Sequence, residues 1–178
     1  DDFEKVINWI NGQDVNDENG TGDTTSPRWT FADPLHSTPG IVVYGGEEGQ
    51  QRTKLVVGTN DGLVRMIDGD TGKEDWAFLP AELLPIQPAL MANQVGERIY
   101  GMDTTPTFWT VDVNQNVQIE PENGDFVKMY MGMRRGGSNI YALDITGTSK
   151  EAPGAYPKLM WVINGITPGE FERLGQTW

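Results

Sequence analysis

The stretch from Thr53 to Pro80, TKLVVGTNDGLVRMIDGDTGKEDWAFLP, constrains the fold more than any other. A β-branched run, Lys54 to Thr59, stops at Asn60-Asp61-Gly62, residue types that supply the positive-φ positions of a tight hairpin. Leu63 to Asp68 reads as the return strand. Gly69-Asp70-Thr71-Gly72 makes a second turn, and Lys73 to Phe78 closes the unit on Trp76. Strand, Asp-Gly turn, strand, Thr-Gly turn and a strand carrying Trp is the outer part of a β-propeller blade.

An internal repeat decides the fold before any local reading does. The unit recurs about 75 residues downstream. Phe126 to Met133 reads as a strand, Arg134-Arg135-Gly136-Gly137 as a turn, and Ser138 to Ile145 as the return strand. Ile140 then falls on Val64, Leu143 on Ile67 and Asp144 on Asp68. After an inserted loop, Pro157 to Ile163 brings Trp161 to the place of Trp76. The expected fold is all-β, a partial β-propeller of about two four-stranded antiparallel blades with a short N-terminal helix. A meander within an ordinary sandwich is the competing reading.

Thirteen basic against 26 acidic residues give a net charge of −13. That excess argues against nucleic acid, whose phosphates need clustered Lys and Arg, and against an anionic membrane surface. The chain has no cysteine, so disulfides and thiolate metal sites are excluded. No apolar run reaches the roughly 18 residues of a membrane span. The start, DDFEKVINWI, has neither an initiator Met nor a basic leader, and the chain reads as a piece of a longer protein.

Along the chain, Phe3, Val6, Ile7 and Ile10 lie at helical spacing, and Gly12 suits the stop of a short amphipathic helix over Asp2 to Asn11. A polar loop follows, in which Asp17, Asn19, Thr21 and Asp23 alternate oxygen-bearing side chains as the loops that bind calcium do. The same residues are common in plain solvated turns. His36, the single histidine, precedes Ser37, but no nucleophile motif accompanies it, and a hydrogen-bonded histidine at the mouth of a strand is expected. Ile41 to Tyr44, apolar throughout, reads as an innermost strand packed between blades. Pro80, Pro85 and Pro88 restrict the next segment to a helical turn near Ala81 to Leu84 followed by loop. Thr107 to Val113 is the inner strand of the second blade. It leads into DVNQNVQIEPENGD, where Asp112, Asn114, Asn116, Gln118 and Glu120 occupy positions 1, 3, 5, 7 and 9 of an EF-hand-like calcium loop, Ile119 being its apolar anchor. Val117 stands at position 6, where glycine is expected. A surface loop without metal is the alternative.

Asp68, Asp144, Trp76 and Trp161 also carry two readings. Either the aspartates bond the amides of the following turn and each Trp packs on the next blade with its N–H satisfied, or the four line a ligand tunnel. The structural reading is preferred. The Arg134 to Gly137 tip reads as solvated rather than as an anion nest.

The segments VINWINGQDV, DPLHSTPGIV, GTNDGLVRMIDGDTGKEDWAFLPAELLP and GMRRGGSNIYALDIT, with LGQTW at the end, resemble the PilC/PilY-type tip adhesin and assembly family of type IV pili. The resemblance covers nearly the whole chain. It implies part of the C-terminal β-propeller of a large secreted protein, extracellular at the pilus tip of a Gram-negative bacterium. Implied partners are minor pilins, the remaining blades of the same protein, and host or abiotic surfaces. The implied role is pilus assembly, twitching motility and attachment, without enzymatic activity. The family also has a calcium loop of the form D-x-[DN]-x-D-x-x-x-D. Asp112 to Glu120 is the nearest local match, with Asn116 and Glu120 departing from it.

A PQQ-dependent quinoprotein dehydrogenase is the alternative, since its blades read similarly, but the vicinal cysteines that stack on the quinone are absent. The expected organisation is a helix and polar loop over 1–35, a first blade over 36–80, an inter-blade loop over 81–105, a second blade over 106–165 and the start of a third over 166–178. Two blades alone leave apolar faces uncovered, so the chain is expected to aggregate or to be held by other chains.

Overall fold

The computed structural model describes residues 2–45, 49, 51–93, 96, 98–147, 156–165, 169 and 171–177. Most of the inserted loop of the second unit, much of the expected start of a third blade, and Trp178 of the LGQTW segment lie outside the described residues.

Helix α1 (Asp2–Ile10) buries Trp9 and ends as its sequence predicts. Gly12 takes φ +92°, its N–H reaches Trp9 O, and the Gln13 N–H reaches Asn8 O, the paired bonds of a Schellman stop. Eight strands follow: β1 (Gly40–Tyr44), β2 (Arg52–Gly58), β3 (Val64–Asp68), β4 (Glu74–Phe78), β5 (Thr107–Val111), β6 (Phe126–Gly132), β7 (Ile140–Asp144) and β8 (Lys158–Ile163). They form two sheets, β1-β2-β3-β4 and β5-β6-β7-β8, each a simple antiparallel meander. The fold is all-β, two four-stranded blades of partial-propeller type.

The repeat holds to the residue. Leu55 pairs Ile67 in the first blade as Met129 pairs Leu143 in the second, and Met66 pairs Trp76 as Ala142 pairs Trp161. Both blades break register one residue later, between Met66 and Ile67 and between Ala142 and Leu143. Equal bulges at equal places mark one supersecondary unit used twice.

The blades pack face to face. Val42, Tyr44, Val56, Met66 and Trp76 of the first blade share one core with Val127, Met129, Met131 and Leu143 of the second. Small residues permit the approach. A Cβ on Gly40 would lie 2.2 Å from the Phe108 ring, and one on Gly58 would meet Met131 and the Met102 backbone, each at 2.3 Å. Across the same junction the Tyr44 hydroxyl donates to Ile145 O at 2.6 Å. At the turn end three chain segments cross backbone on backbone. A Cβ on Gly101 would lie 2.4 Å from Gly62 N, and one on Gly136 only 1.8 Å from Gly101 O.

Several expectations are corrected here. Only Gly62 of the Asn60-Asp61-Gly62 turn takes a left-handed φ (+94°). Asn60 and Asp61 serve through their side chains, donating to Asp33 and pairing with Arg65. Among the described residues β1 is covered on one face, and Ile41 points away from the core. The segment after Leu84 is not loop: a 3-10 turn (Ala81–Ile86) runs straight into helix α2 (Gln87–Ala92). Pro88 falls in the first turn of α2, where its missing N–H costs nothing. The buried Gln87 amide donates to Asp61 O and Leu83 O, and so locks α2 to the first blade.

At the same register position in each blade a lysine faces an aspartate. Lys54 opposes Asp68 at 2.7 Å and Lys128 opposes Asp144 at 2.5 Å. Lys54 also pairs with Asp75 at 2.7 Å, and both of those side chains are buried beneath the second blade. The Lys128 pair lies on the open face. Removing one member of a buried pair strands a charge, whereas a wetter pair is worth little. Lys54→Ala is therefore expected to cost about 3 kcal/mol of unfolding free energy and Lys128→Ala under about 1 kcal/mol, as measured by urea denaturation. Gly136→Ala forces apart two backbones and is expected to cost at least about 1–3 kcal/mol in the same assay.

Candidate functional site

Two loops and one cleft gather the chemically capable side chains. The loop between β5 and β6 is built on two carboxylates. Asp112 accepts the N–H groups of Gln115 (2.7 Å), Asn116 (3.3 Å) and Val117 (2.6 Å). Asp125, which sequence reasoning passed over, is buried and accepts from Val113 N and Glu120 N. Between them the Asn114, Asn116 and Asn123 amides converge on one Glu120 oxygen at 2.8–3.0 Å. These three donors, in that order, hold the Glu120 carboxyl below its usual range. Val117 takes the left-handed turn (φ +66°) that position 6 of such a loop requires, although a β-branched residue resists it. Ile119 is buried as the anchor, and its two backbone bonds to Val43 O and Gly45 N pin the loop to β1 of the other blade.

The structure thus brings Asn114, Asn116 and Glu120 together and turns Asp112 toward backbone. Rotating the Asn114 and Asn116 amides half a turn would face their carbonyl oxygens to the Glu120 carboxylate. The oxygen donors present therefore fit a hard cation such as calcium in kind. The Gln118 side-chain oxygen is buried without a hydrogen-bond partner among the described residues.

In the N-terminal loop the organising residue is Asp14, buried and accepting from Glu18 N and Asn19 N. Asp17 accepts from Gly22 N, Asn19 from both Thr21 donors, and Asp23 from both Thr25 donors. The Thr25 hydroxyl, then the Thr25 amide, lowers the Asp23 carboxyl. Among the described residues no group of three His, Cys, Asp or Glu side chains comes together as metal ligands do.

His36 sits at the mouth of β1 with Nδ1 2.9 Å from both oxygens of the fully buried Asp103. The neighbouring Ser37 oxygen accepts the Gly58 N–H, so the hydroxyl belongs to the backbone network of β2. Nothing local in the sequence announces the His36–Asp103 pair. Arg135 is exposed, as expected of a solvated tip, and its guanidinium lies over Tyr100 and donates to its hydroxyl.

A cleft of about 470 Å³ lies between the end of α1, the irregular segment 28–33 and α2, lined by Trp9, Arg28, Trp29, Phe31, Asp33 and Arg98 among others. Arg28 stacks on Trp9 at 3.9 Å and spends its donors on Trp9 O and Trp29 O. Burial lowers its pKa, against the pull of Asp61. Asp61 in turn pairs with Arg65, which also reaches Glu74 and Thr30 O. The charges in this region are committed to holding the N-terminal segment on the blade.

Asp68 and Asp144 behave as the structural reading predicts. Asp68 accepts the Thr71 N–H at 2.8 Å, and Asp144 accepts the Thr146 N–H at 3.0 Å. Lys54 first, then Thr71, drives the Asp68 carboxyl far below its usual range. Burial works against ionising Asp144, yet Lys128 and Thr146 outweigh it and lower that carboxyl too. For Lys54, burial is outweighed by Asp68 and Asp75, and its pKa rises. The tryptophans depart from the expectation. Trp76 packs on the second blade, but its indole N–H has no partner among the described residues, and Trp161 is exposed.

What the fold and these loops define is a tandem of β-blades whose recurring charges are architectural. No protein-family model and no curated protein matches the chain. Among solved structures, the crystal structure of the Pseudomonas aeruginosa PilY1 C-terminal domain matches with 24% identity and a TM-score of 0.39, over 65% of this chain. The chain spans about 20% of the length of that one. Among the described residues no helix is long and apolar enough to cross a membrane.

A depressed carboxyl pKa contributes stability above the unfolded value of about 4 that is lost as pH falls through the folded value. The Tm is expected to hold from neutral pH to about 4 and then fall. Asp68→Asn flattens that acid-side fall while lowering the neutral-pH plateau, and differential scanning calorimetry against pH reads both.

Proposed function

We propose that the chain is a non-enzymatic module of a type IV pilus biogenesis and tip-adhesin protein, acting in assembly and attachment at the cell exterior. The reading rests on the sequence resemblance and on what its most specific residues do. Glu82 of AELLP accepts from the Tyr141 hydroxyl of IYALD at 2.9 Å, and Asn139 donates to the same hydroxyl. Burial, then Glu82, raises the Tyr141 pKa. Leu83 and Gln87 close on Gly62 of the NDG turn. The two longest segments that carry the resemblance therefore meet at the junction of the two blades. Their polar groups are consumed in joining it, which favours an assembly role over catalysis.

The test is genetic and biochemical. In the bacterium that encodes the protein, Glu82→Ala combined with Tyr141→Phe is expected to reduce surface piliation and twitching while protein is still made. Unchanged piliation and twitching would count against the reading. Dye-linked dehydrogenase activity on adding pyrroloquinoline quinone would replace it with the quinoprotein alternative.

The loop of Asp112, Asn114, Asn116, Gln118 and Glu120 is proposed to take calcium, because the left-handed Val117 gives it the required turn and the Asn114 and Asn116 amides stand beside Glu120, where half a turn would bring their oxygens to face its carboxylate. Asn114, Asn116 and Glu120 would hold the ion, and its charge would stiffen a loop that Ile119 fastens to the other blade. Titration calorimetry is expected to show one saturable event that Asp112→Ala abolishes. Heat identical in the two proteins would remove the loop from consideration.

A further inference from the structure

The N-terminal segment runs into the first blade through the peptide bond between Asp33 and Pro34. Both residues make that bond weaker than its neighbours. An amide to proline is tertiary, so its nitrogen leaves as a secondary amine. Aspartate carries a carboxylate nucleophile whose attack on its own carbonyl carbon closes a cyclic anhydride.

The fold holds both reacting groups of Asp33 with one partner. The buried Asn60 donates its backbone N–H to the Asp33 carbonyl oxygen at 3.0 Å and its side-chain amide to Oδ2 at 2.9 Å. Arg98 donates to the same Oδ2 at 2.8 Å. Oδ1 accepts no hydrogen bond among the described residues, and it is the oxygen left to attack. The N–H on the carbonyl oxygen stabilises the negative charge that grows there as a nucleophile adds. Holding the carboxylate and the carbonyl on one residue reduces the freedom that the attack must otherwise remove.

The leaving side of the bond is strained. Leu35 takes φ +34°, a positive value that a bulky side chain resists. The turn around it is closed by the Ser37 N–H on Pro34 O at 2.7 Å. His36 is anchored on the buried Asp103, and the Ser37 oxygen on the Gly58 N–H. Strain of this kind persists only where the surrounding structure over-determines it, and it clusters where chemistry occurs. A cut before Pro34 frees the turn to relax.

We propose that Asp33–Pro34 is a self-cleavage site. Oδ1 of Asp33 adds to the carbonyl carbon of the same residue. The carbon–nitrogen bond to Pro34 breaks, the proline nitrogen takes a proton from water, and Asp33 is left as the cyclic anhydride. Water then opens the anhydride to the two carboxyl groups of a C-terminal aspartate. One water is consumed overall, and the step calls on neither a cofactor nor a second protein. The products are residues 1–33 and 34–178. They stay together, because Arg65 donates to Thr30 O and Asn16 donates to Met91 O across the cut. The product is a nicked protein rather than a released segment, and the inference is independent of the pilus reading.

Intact-mass spectrometry of the purified full chain, in buffer containing protease inhibitors, follows the reaction. The folded chain is expected to convert to two pieces, the larger beginning at Pro34, at least about ten-fold faster than the same chain held unfolded in guanidinium at the same pH. Asp33→Glu keeps a carboxylate for Arg98 but closes only a larger, slower ring, and it is expected to stay whole over the same time. Should circular dichroism show that variant unfolded, Pro34→Ala takes its place: it keeps the nucleophile, makes the nitrogen a poorer leaving group and is likewise expected to stay whole. A folded chain that remains intact, or is cut no faster than the unfolded one, overturns the proposal. So does cleavage at this bond that survives Asp33→Glu or Pro34→Ala at the original rate.

Discussion

Everything in this molecule depends on one apolar face meeting another across Gly40 and Gly58. A four-stranded blade of five- to seven-residue strands has too little core of its own, because a sheet buries an apolar face only against something else. The two glycines let Phe108 and Met131 come within contact of the β1 and β2 backbone, where any side chain would hold the blades apart. Once the faces meet, Val56, Met66, Val127 and Met129 are sealed from water. Lys54 is sealed with them, which is why it needs both Asp68 and Asp75. The inter-blade connection and the loop between β5 and β6 fasten to edges of this junction, and the N-terminal segment fastens to the first blade through Arg65.

The same constraint explains why residues that look functional are structural. The Lys–Asp pairs recur at the same register position in both blades, buried in one and open in the other. Such a pair needs no ligand to account for it. It satisfies the polar end of a cross-strand position that the blade cannot make apolar without disturbing the following turn, where Asp68 holds Thr71 and Asp144 holds Thr146. His36 and Asp103 act likewise, tying the approach to β1 to the segment before β5.

Much of this was legible in the residues, and the failures have physical causes. The glycine-bearing turns and the recurrence of Trp after them announced the strands and their register. Ile119 was visible as an anchor because an apolar residue in a polar loop has few other uses. Lys54 and Lys128 were not visible, since a lysine in an alternating strand reads as solvent-facing, and only the cross-strand register brings it to an aspartate. Helix α2 was hidden by Pro85 and Pro88, residues that break helices except in the first turn. Asp14 and Asp125 were overlooked because each organises its loop from outside the alternating oxygen pattern. His36 and Asp103 are 67 residues apart and share no local signal.

The central claim is that the two blades are one cooperative unit joined by a shared face, with β8 the more exposed strand of the second blade. Native-state amide hydrogen exchange tests it most directly. The account predicts that amides within β2, β3, β6 and β7 exchange slowest and with one common free energy, while those of β8 exchange faster. Separate free energies for the two blades, or protection of β8 equal to that of β3, would contradict it.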